Sequence, residues 1–268
     1  MTNNQQGQLF IIGGAEEIEG DCLILREFVR RSGGTRAKIV ILTAASSLPG
    51  EVGWEYREVF ERLGADRVEI VDTRDPEDAN ALEAIRSIAQ ATGIFFTGGD
   101  QARIIRSIKD TILEDALHKR YAEGAVIAGT SAGAAIMPER MIVEGASDTN
   151  PRLDVVTMGI GLGFLPQAVV DQHFAQRGRL GRLLSAILLE PSVLGFGIDE
   201  NTALIVQGDQ LEVIGEGAVT VVDESATTYK NSGRTLKDEP FAVFGVQLHI
   251  LPHGYRFNAA TRTPIAPV

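Results

Sequence analysis

Four apolar runs punctuate the first half of the chain. QLFIIGG (8–14), AKIVILTAAS (37–46), GIFFTGGD (93–100) and GAVIAGTS (124–131) each string apolar residues together without alternation, then break into small or polar ones. A run with no polar face predicts a parallel strand covered on both sides. DRVEIVD (66–72) adds a fifth strand. Between the runs the period changes. Cys22, Leu25, Phe28 and Val29 recur at helical spacing, as do Val52, Tyr56, Val59, Phe60 and Leu63 before Gly64. DPEDANALEAIRSIAQA (75–91) opens on Asp75 with Pro76 behind it, a cap and first turn that predict one helix to its end. Residues 1–135 therefore read as an α/β, doubly wound, mostly parallel sheet with helices on both faces.

The second half has another pattern. SVLGFGID, TALIVQG, QLEVIGEG and AVTVVDE (192–224) predict short strands with tight turns, antiparallel to one another, and residues 241–258 add two more around LPHG. No period assigns residues 140–165. With no repeat, linker or low-complexity tract, the expectation is a single domain over 1–268 with a strand-rich C-terminal part.

Doubly wound sheets bind ligands beyond the carboxyl ends of their strands, which is where Gly98, Gly99 and Ser131 fall. In AVIAGTSAGAAIM (125–137) the serine lies within Gly129-Thr130-Ser131-Ala132-Gly133, a G-x-S-x-G corner between an apolar strand and a following helix. Small neighbours let a strained turn form, and the helix start offers free amides and a positive dipole end. A serine nucleophile needs a base, and the base an orienting acid. His118 lies in a polar helical stretch and reads as exposed. His249 and His253 flank ILP, where the proline opposes a helical metal pair and only two ligands are visible, so no metal is expected. His173, in VVDQHFAQRGRLGR just after a strand, is the better base. For the acid, Asp199 and Glu200 in GFGIDENTALIV both sit between two strands, and either can serve. An oxyanion hole would use the Ala132 amide and one from the Gly98–Gly99 turn.

Composition narrows the classes. The 268 residues, 44% hydrophobic, suffice for one substantial core. No apolar run is long enough to span a membrane, and MTNNQQGQLF lacks the pattern of a signal peptide. Cys22 is the only cysteine, so no internal disulfide is expected and a cytoplasmic location is. A net charge of −11 disfavours nucleic acid as a partner.

Taken together, FFTGGDQ (95–101), GTSAGA (129–134), DQHF (171–174) and GIDE (197–200) strongly resemble the cyanophycinase family of serine peptidases, within a group that includes aspartyl dipeptidase. The resemblance runs from IIGGAE to LPHGYRFN. It implies a fold similar to class I glutamine amidotransferases, with serine replacing the elbow cysteine. It implies Ser131 as nucleophile, His173 as general base and Glu200, rather than Asp199, as orienting acid, with the oxyanion held near Gly99 and Ala132. It also implies a substrate pocket at or near Gln101, Asp171, Gln172, Arg177, Arg179 and Arg182. The implied substrate is the cyanophycin polymer, a poly-aspartate bearing arginine on each β-carboxyl group, cut from an end into β-Asp-Arg dipeptides. No cofactor is implied, and a homodimer is. Three readings compete. An aspartyl dipeptidase acting on short peptides has less use for the arginines of QRGRLGR. An α/β-hydrolase esterase orders its triad Ser, acid, His, whereas here the order is Ser131, His173, Glu200. A nucleotide-binding module would rest on GIGLGF (159–164), which has Phe164 where the third glycine belongs.

Overall fold

The computed structural model describes residues 6–190, 192–231, 236 and 238–267. Its first half alternates strand and helix: β1 (Leu9–Ile12), α1 (Leu23–Arg31), β2 (Lys38–Leu42), α2 (Pro49–Arg62), β3 (Arg67–Val71), α3 (Pro76–Ala79), α4 (Leu82–Gln90), β4 (Gly93–Phe96), α5 (Gln101–Ile108), α6 (Ile112–Ala122), β5 (Val126–Thr130) and α7 (Ala132–Ala135). The second half holds β6 (Arg140–Gly145), β7 (Val156–Ile160), β8 (Ala168–Gln172), α8 (Leu180–Leu189), β9 (Leu194–Ile198), β10 (Thr202–Gln207), β11 (Gln210–Gly215), β12 (Ala218–Asp223), β13 (Tyr229–Lys230), β14 (Val243–Phe244), β15 (Gln247–Pro252), β16 (Arg256–Asn258) and β17 (Thr263–Ile265).

The large sheet has nine strands in the order β17-β16-β11-β10-β1-β5-β4-β2-β3. Strands β1 to β5 run parallel, and β10 joins β1 antiparallel. Around β1, β2, β4 and β5 both faces are buried, which is why those runs do not alternate in polarity. Leu9, Ile11, Ile94, Phe96 and Ile127 pack on one face with residues of α4 to α6. Phe10, Ile12, Phe95 and Ala128 pack on the other with Phe28 of α1 and Phe60 of α2. Register brings three strand ends level: Ile12 pairs with Thr130, and Phe96 with Gly129. The next residues along, Gly13, Thr97 and Ser131, therefore form one edge of the sheet.

A second sheet, β15-β12-β9-β8, lies beside α8. Here the expected antiparallel pattern holds for β12 against β9 and β15, but β8 and β9 are parallel. The α8 crossover between them makes this possible. Gln172 pairs with Ile198, so His173 and the Asp199–Glu200 pair leave the sheet side by side.

Two local expectations change. The single helix over 75–91 is broken into α3 and α4, because the Asn80 amide donates back to the Pro76 carbonyl at 2.8 Å and its oxygen accepts the Ile112 amide at 2.9 Å. Residues 140–165, unassigned by pattern, contain the antiparallel pair β6–β7 with an irregular register between Ile142 and Glu144.

Candidate active site

Ser131 follows β5 with φ 51° and ψ −107°, far from the conformation of an ordinary serine. The corner closes because Gly129 and Gly133 interlock: a Cβ on Gly129 would come 2.2 Å from the Gly133 carbonyl oxygen. The Ser131 carbonyl accepts the Ala134 and Ala135 amides, both at 3.0 Å, and so starts α7. Ala132 occupies the first position of that helix, where no intrahelical carbonyl is available to its N–H.

Ser131 Oγ lies 2.9 Å from His173 Nε2, and His173 Nδ1 lies 2.6 Å from Glu200 Oε1. Asp199 faces elsewhere. Its two oxygens accept the Ala175 amide at 3.0 Å and the Ala218 amide at 3.1 Å, tying together the segments around the base. The choice left open between the two acids is thereby given a geometry: Glu200 contacts the imidazole and Asp199 braces backbone. Burial lowers the His173 pKa below its ordinary value. The Glu200 hydrogen bond opposes that shift, and the cations of Arg177 and Arg179 reinforce it.

One loop holds all three segments. The Ile12 carbonyl accepts the Ser131 amide at 3.0 Å, the Gly13 carbonyl the His173 amide at 2.8 Å, and the Gly14 carbonyl the Asn201 amide at 2.9 Å. Gly14 has φ 100°, and a Cβ there would meet His173 Cε1 at 2.3 Å. Two residues on, Glu16 is buried. Its Oε1 accepts the Tyr56 hydroxyl and its Oε2 the Thr130 hydroxyl, each at 2.5 Å. Burial, and then the Glu16 charge, push the Tyr56 phenol well above its ordinary pKa, so it remains a donor. Neither Gly14 nor Glu16 stood out in the sequence. The available signal was the short IIGGAE stretch, where an apolar strand ends on two glycines and a carboxylate at the same sheet edge as the serine corner.

Of the oxyanion candidates, the Gly98–Gly99 turn lies against the corner, since a Cβ on Gly98 would be 3.5 Å from that of Ser131. Gly99 has φ 140° and packs on the Ala45 carbonyl, a position closed to any side chain.

The expected pocket residues separate into two groups. Asp171 is fully buried and bonded within the chain. Its oxygens accept Arg182 Nε at 2.6 Å and a second Arg182 nitrogen, with Arg179 Nη1 at 3.4 Å and the Gln172 amide at 2.9 Å. Arg182 is itself buried and donates to the Gly145 carbonyl at 3.0 Å. The picture of Asp171 and Arg182 as free groups facing a ligand is corrected: β8 is covered on both sides, so the carboxylate needs internal cations. Arg179, buried, donates to the Gln172 carbonyl at 2.6 Å, its Nε has no partner, and burial pushes its pKa down to about 10. Arg177 is exposed. The side-chain amide of Gln101 donates to the Ile142 carbonyl at 3.3 Å and to the Val143 carbonyl. Gln172 is buried at the end of β8. His118 Nε2 donates to the Leu162 carbonyl at 2.8 Å and the ring stacks on Phe164, which gives GIGLGF a packing role. His253 Nδ1 accepts the Gly215 amide at 3.3 Å.

Comparison with known proteins places this geometry in context. The model of Peptidase family S51 matches residues 9–214. The chain is 40% identical over 262 residues to a cyanophycinase of Trichormus variabilis, covering 97% of this chain and 88% of that protein. It is 40% identical over 270 residues to a cyanophycinase of Geminocystis herdmanii, covering 100% and 99%. Among solved structures, a peptidase from an acI-B1 actinobacterium aligns with TM-score 0.68 and 21% identity over 95% of this chain and 98% of that one. A putative peptidase E protein from Listeria monocytogenes EGD-e aligns with TM-score 0.55 and 16% identity over 78% and 98%. At those identities the structural matches speak for the fold.

Proposed function

Because the chain belongs to peptidase family S51, we propose that it is a serine-type peptidase that hydrolyses cyanophycin. The observation that carries the mechanism is the continuous line from Ser131 Oγ through His173 to Glu200, with separations of 2.9 and 2.6 Å. Glu200 accepts a hydrogen bond from Nδ1–H, which keeps the proton on Nδ1 and leaves Nε2 as the acceptor facing the serine. The lowered pKa of His173 keeps the imidazole neutral at neutral pH, the state a general base requires.

In the proposed reaction His173 takes the Ser131 proton as Oγ attacks an α-peptide carbonyl of the aspartate backbone. The Ala132 amide and an amide of the Gly98–Gly99 turn hold the oxyanion. His173 then gives its proton to the leaving amine. The acyl-enzyme is hydrolysed by water activated at the same nitrogen, regenerating free Ser131. The exposed Arg177, beside the base, is assigned to substrate carboxylates. Gln101, Gln172 and the partly satisfied Arg179 shape the wall, and Asp171 with Arg182 hold that wall in place. The resemblance further suggests exo-type release of β-Asp-Arg, a homodimer and a cytoplasmic location.

The test is incubation with purified cyanophycin and time-resolved mass spectrometry of the soluble products. Early β-Asp-Arg, abolished by Ser131→Ala in a folded protein, is the expected result. A ladder of mid-sized fragments appearing first defeats the exo assignment. Cleavage of casein at the same rate defeats the substrate assignment.

A further inference from the structure

A second polar cleft lies on the catalytic edge of the sheet. It has a volume of about 270 Å³ and is walled by Ser46, Ser47, Asp72, Arg74, Arg103 and Arg106, where the loops after β2 and β3 meet α5. In a chain of net charge −11 this concentration of arginine stands out. Its charges are unequally matched. Asp72 is occupied, accepting Thr43 Oγ1 at 3.2 Å and Arg74 Nε at 2.8 Å. Arg103 is 3.8 Å from Asp100, whose other oxygen accepts the Ala102 amide, and reaches the Ser46 carbonyl at 3.4 Å. Exposed Arg106 has no ion-pair partner among the described residues. The cleft therefore carries positive charge left over for a ligand, with two hydroxyls beside it.

Its position relative to Ser131 follows from contacts already described. Gly98 lies against Ser131, Gly99 packs on the Ala45 carbonyl, and the Asp100 amide donates to that same carbonyl at 3.0 Å. Ser46 is the next residue. A substrate chain emerging from the serine corner along the Gly98–Gly99 turn thus runs into the arginine cleft. The polymer proposed above suits it. Joining arginine through its α-amino group to an aspartyl β-carboxyl leaves a free carboxylate on every unit, repeated at intervals along the chain. Guanidinium groups bind such carboxylates with paired N–H donors.

Resting on that functional reading, we propose that Arg103 and Arg106, with Arg74 behind them, form an accessory carboxylate subsite for a unit flanking the bond being cut. The subsite favours longer polymer over the minimal substrate by adding an attraction outside the pocket at the triad. Being exposed, it is weakened by salt.

The experiment uses a tetramer of β-Asp-Arg units and the same tetramer with the arginine carboxylates of its flanking units converted to carboxamides. The wild-type enzyme is expected to prefer the carboxylate form by about tenfold in kcat/KM at low salt, and to lose most of that preference in 0.5 M NaCl (a screening length of about 4 Å). Arg103→Gln/Arg106→Gln is expected to bring the preference close to one, and Arg106→Gln alone to lower it part of the way without altering the melting temperature. Arg86→Gln, an exposed charge loss elsewhere on the surface, serves as the control and keeps the preference. If the double variant retains the wild-type preference, the subsite is overturned while the peptidase reading stands. If the wild-type enzyme cleaves neither tetramer nor polymer, the peptidase reading falls and the subsite with it.

Discussion

Replacing Gly14 by alanine tests whether the placement of the base, and not only its identity, controls turnover. The added Cβ would lie 2.3 Å from His173 Cε1 and 2.5 Å from Nε2. Ordinary contact between carbons is about 3.5–4.0 Å, so the imidazole must retreat by about 1.2 Å or more. A misplacement of about 1 Å can cost roughly 10²-fold in rate. Alanine at φ 100° also strains the backbone, by about 1–2 kcal/mol, which for a chain of this size lowers the melting temperature by about 2–8 °C. The expected signature is disproportion: kcat/KM lower by about 10²-fold or more in a protein that melts only a few degrees early. Phosphonylation by a small fluorophosphonate, in which Oγ displaces fluoride from phosphorus, should slow by a similar factor, since it needs Ser131 and its base but not the polymer site. Gly64→Ala is the control. It has φ 91° with nothing within 4 Å of the added methyl, so it should show the thermal loss without the kinetic one. A Gly14→Ala enzyme phosphonylated within threefold of the wild-type rate would refute the argument that this glycine sets the imidazole's position.

Three further outcomes follow from the same geometry. Glu200→Gln should reduce kcat by about 10²–10⁴-fold with little thermal effect. Asp199→Asn should mainly destabilise, by about 1–3 kcal/mol, because one of two backbone amides loses its acceptor; the reverse ranking of rates would transfer the orienting role. Arg177→Gln removes a cation that helps hold the His173 pKa down. The acid limb of the kcat profile should therefore move to higher pH, and an unmoved or lowered limb counts against the contact. Thr130→Ser keeps the hydroxyl that reaches Glu16 and loses a methyl, whereas Thr130→Val does the opposite. If the hydrogen bond steadies the corner, Ser should keep most of the fluorophosphonate reactivity and Val should lose it. If Val outperforms Ser, packing is what matters at this position.

The parallel strands β1, β2, β4 and β5 were legible because they are buried on both faces, so the backbone left its mark as unbroken apolar runs; the edge strand β3, only half-buried, carries Arg67 and Glu69 among its apolar residues. The serine corner was legible for a related reason: glycine at 129 lets the 133 carbonyl approach, and glycine at 133 lets the Phe96 carbonyl of the neighbouring strand do the same. The acid was not settled by spacing, since Asp199 and Glu200 are neighbours and only the parallel pairing of β8 with β9 decides which one reaches the imidazole. Asp171 read as a polar group near a ligand because neither the cover over β8 nor the buried arginines opposite it are visible in one dimension. Gly14 and Glu16 act across the fold, on residues from distant stretches, and nothing local distinguishes them from an ordinary strand-to-helix loop. The break at Asn80 was likewise invisible to helical periodicity, because one side chain there serves a carbonyl in its own turn and an amide on another helix.

The three consecutive carbonyls of Ile12, Gly13 and Gly14 bear on how the enzyme comes into being. They hold the backbone at Ser131, His173 and Asn201, one each. Strand β1 precedes the other strands in the chain, yet its sheet neighbours are residues 126–130 and 202–207. Contacts so remote along the chain close late in folding. Glu200 is set beside His173 by the pairing of β9 with β8 and β12 on one side, and by the docking of β10 on β1 on the other. A nascent chain therefore holds Ser131 apart from the base and acid proposed for it until the segment through residue 200 has been made and folded. On that proposal, hydrolytic competence waits on long-range closure of the fold rather than on any local element.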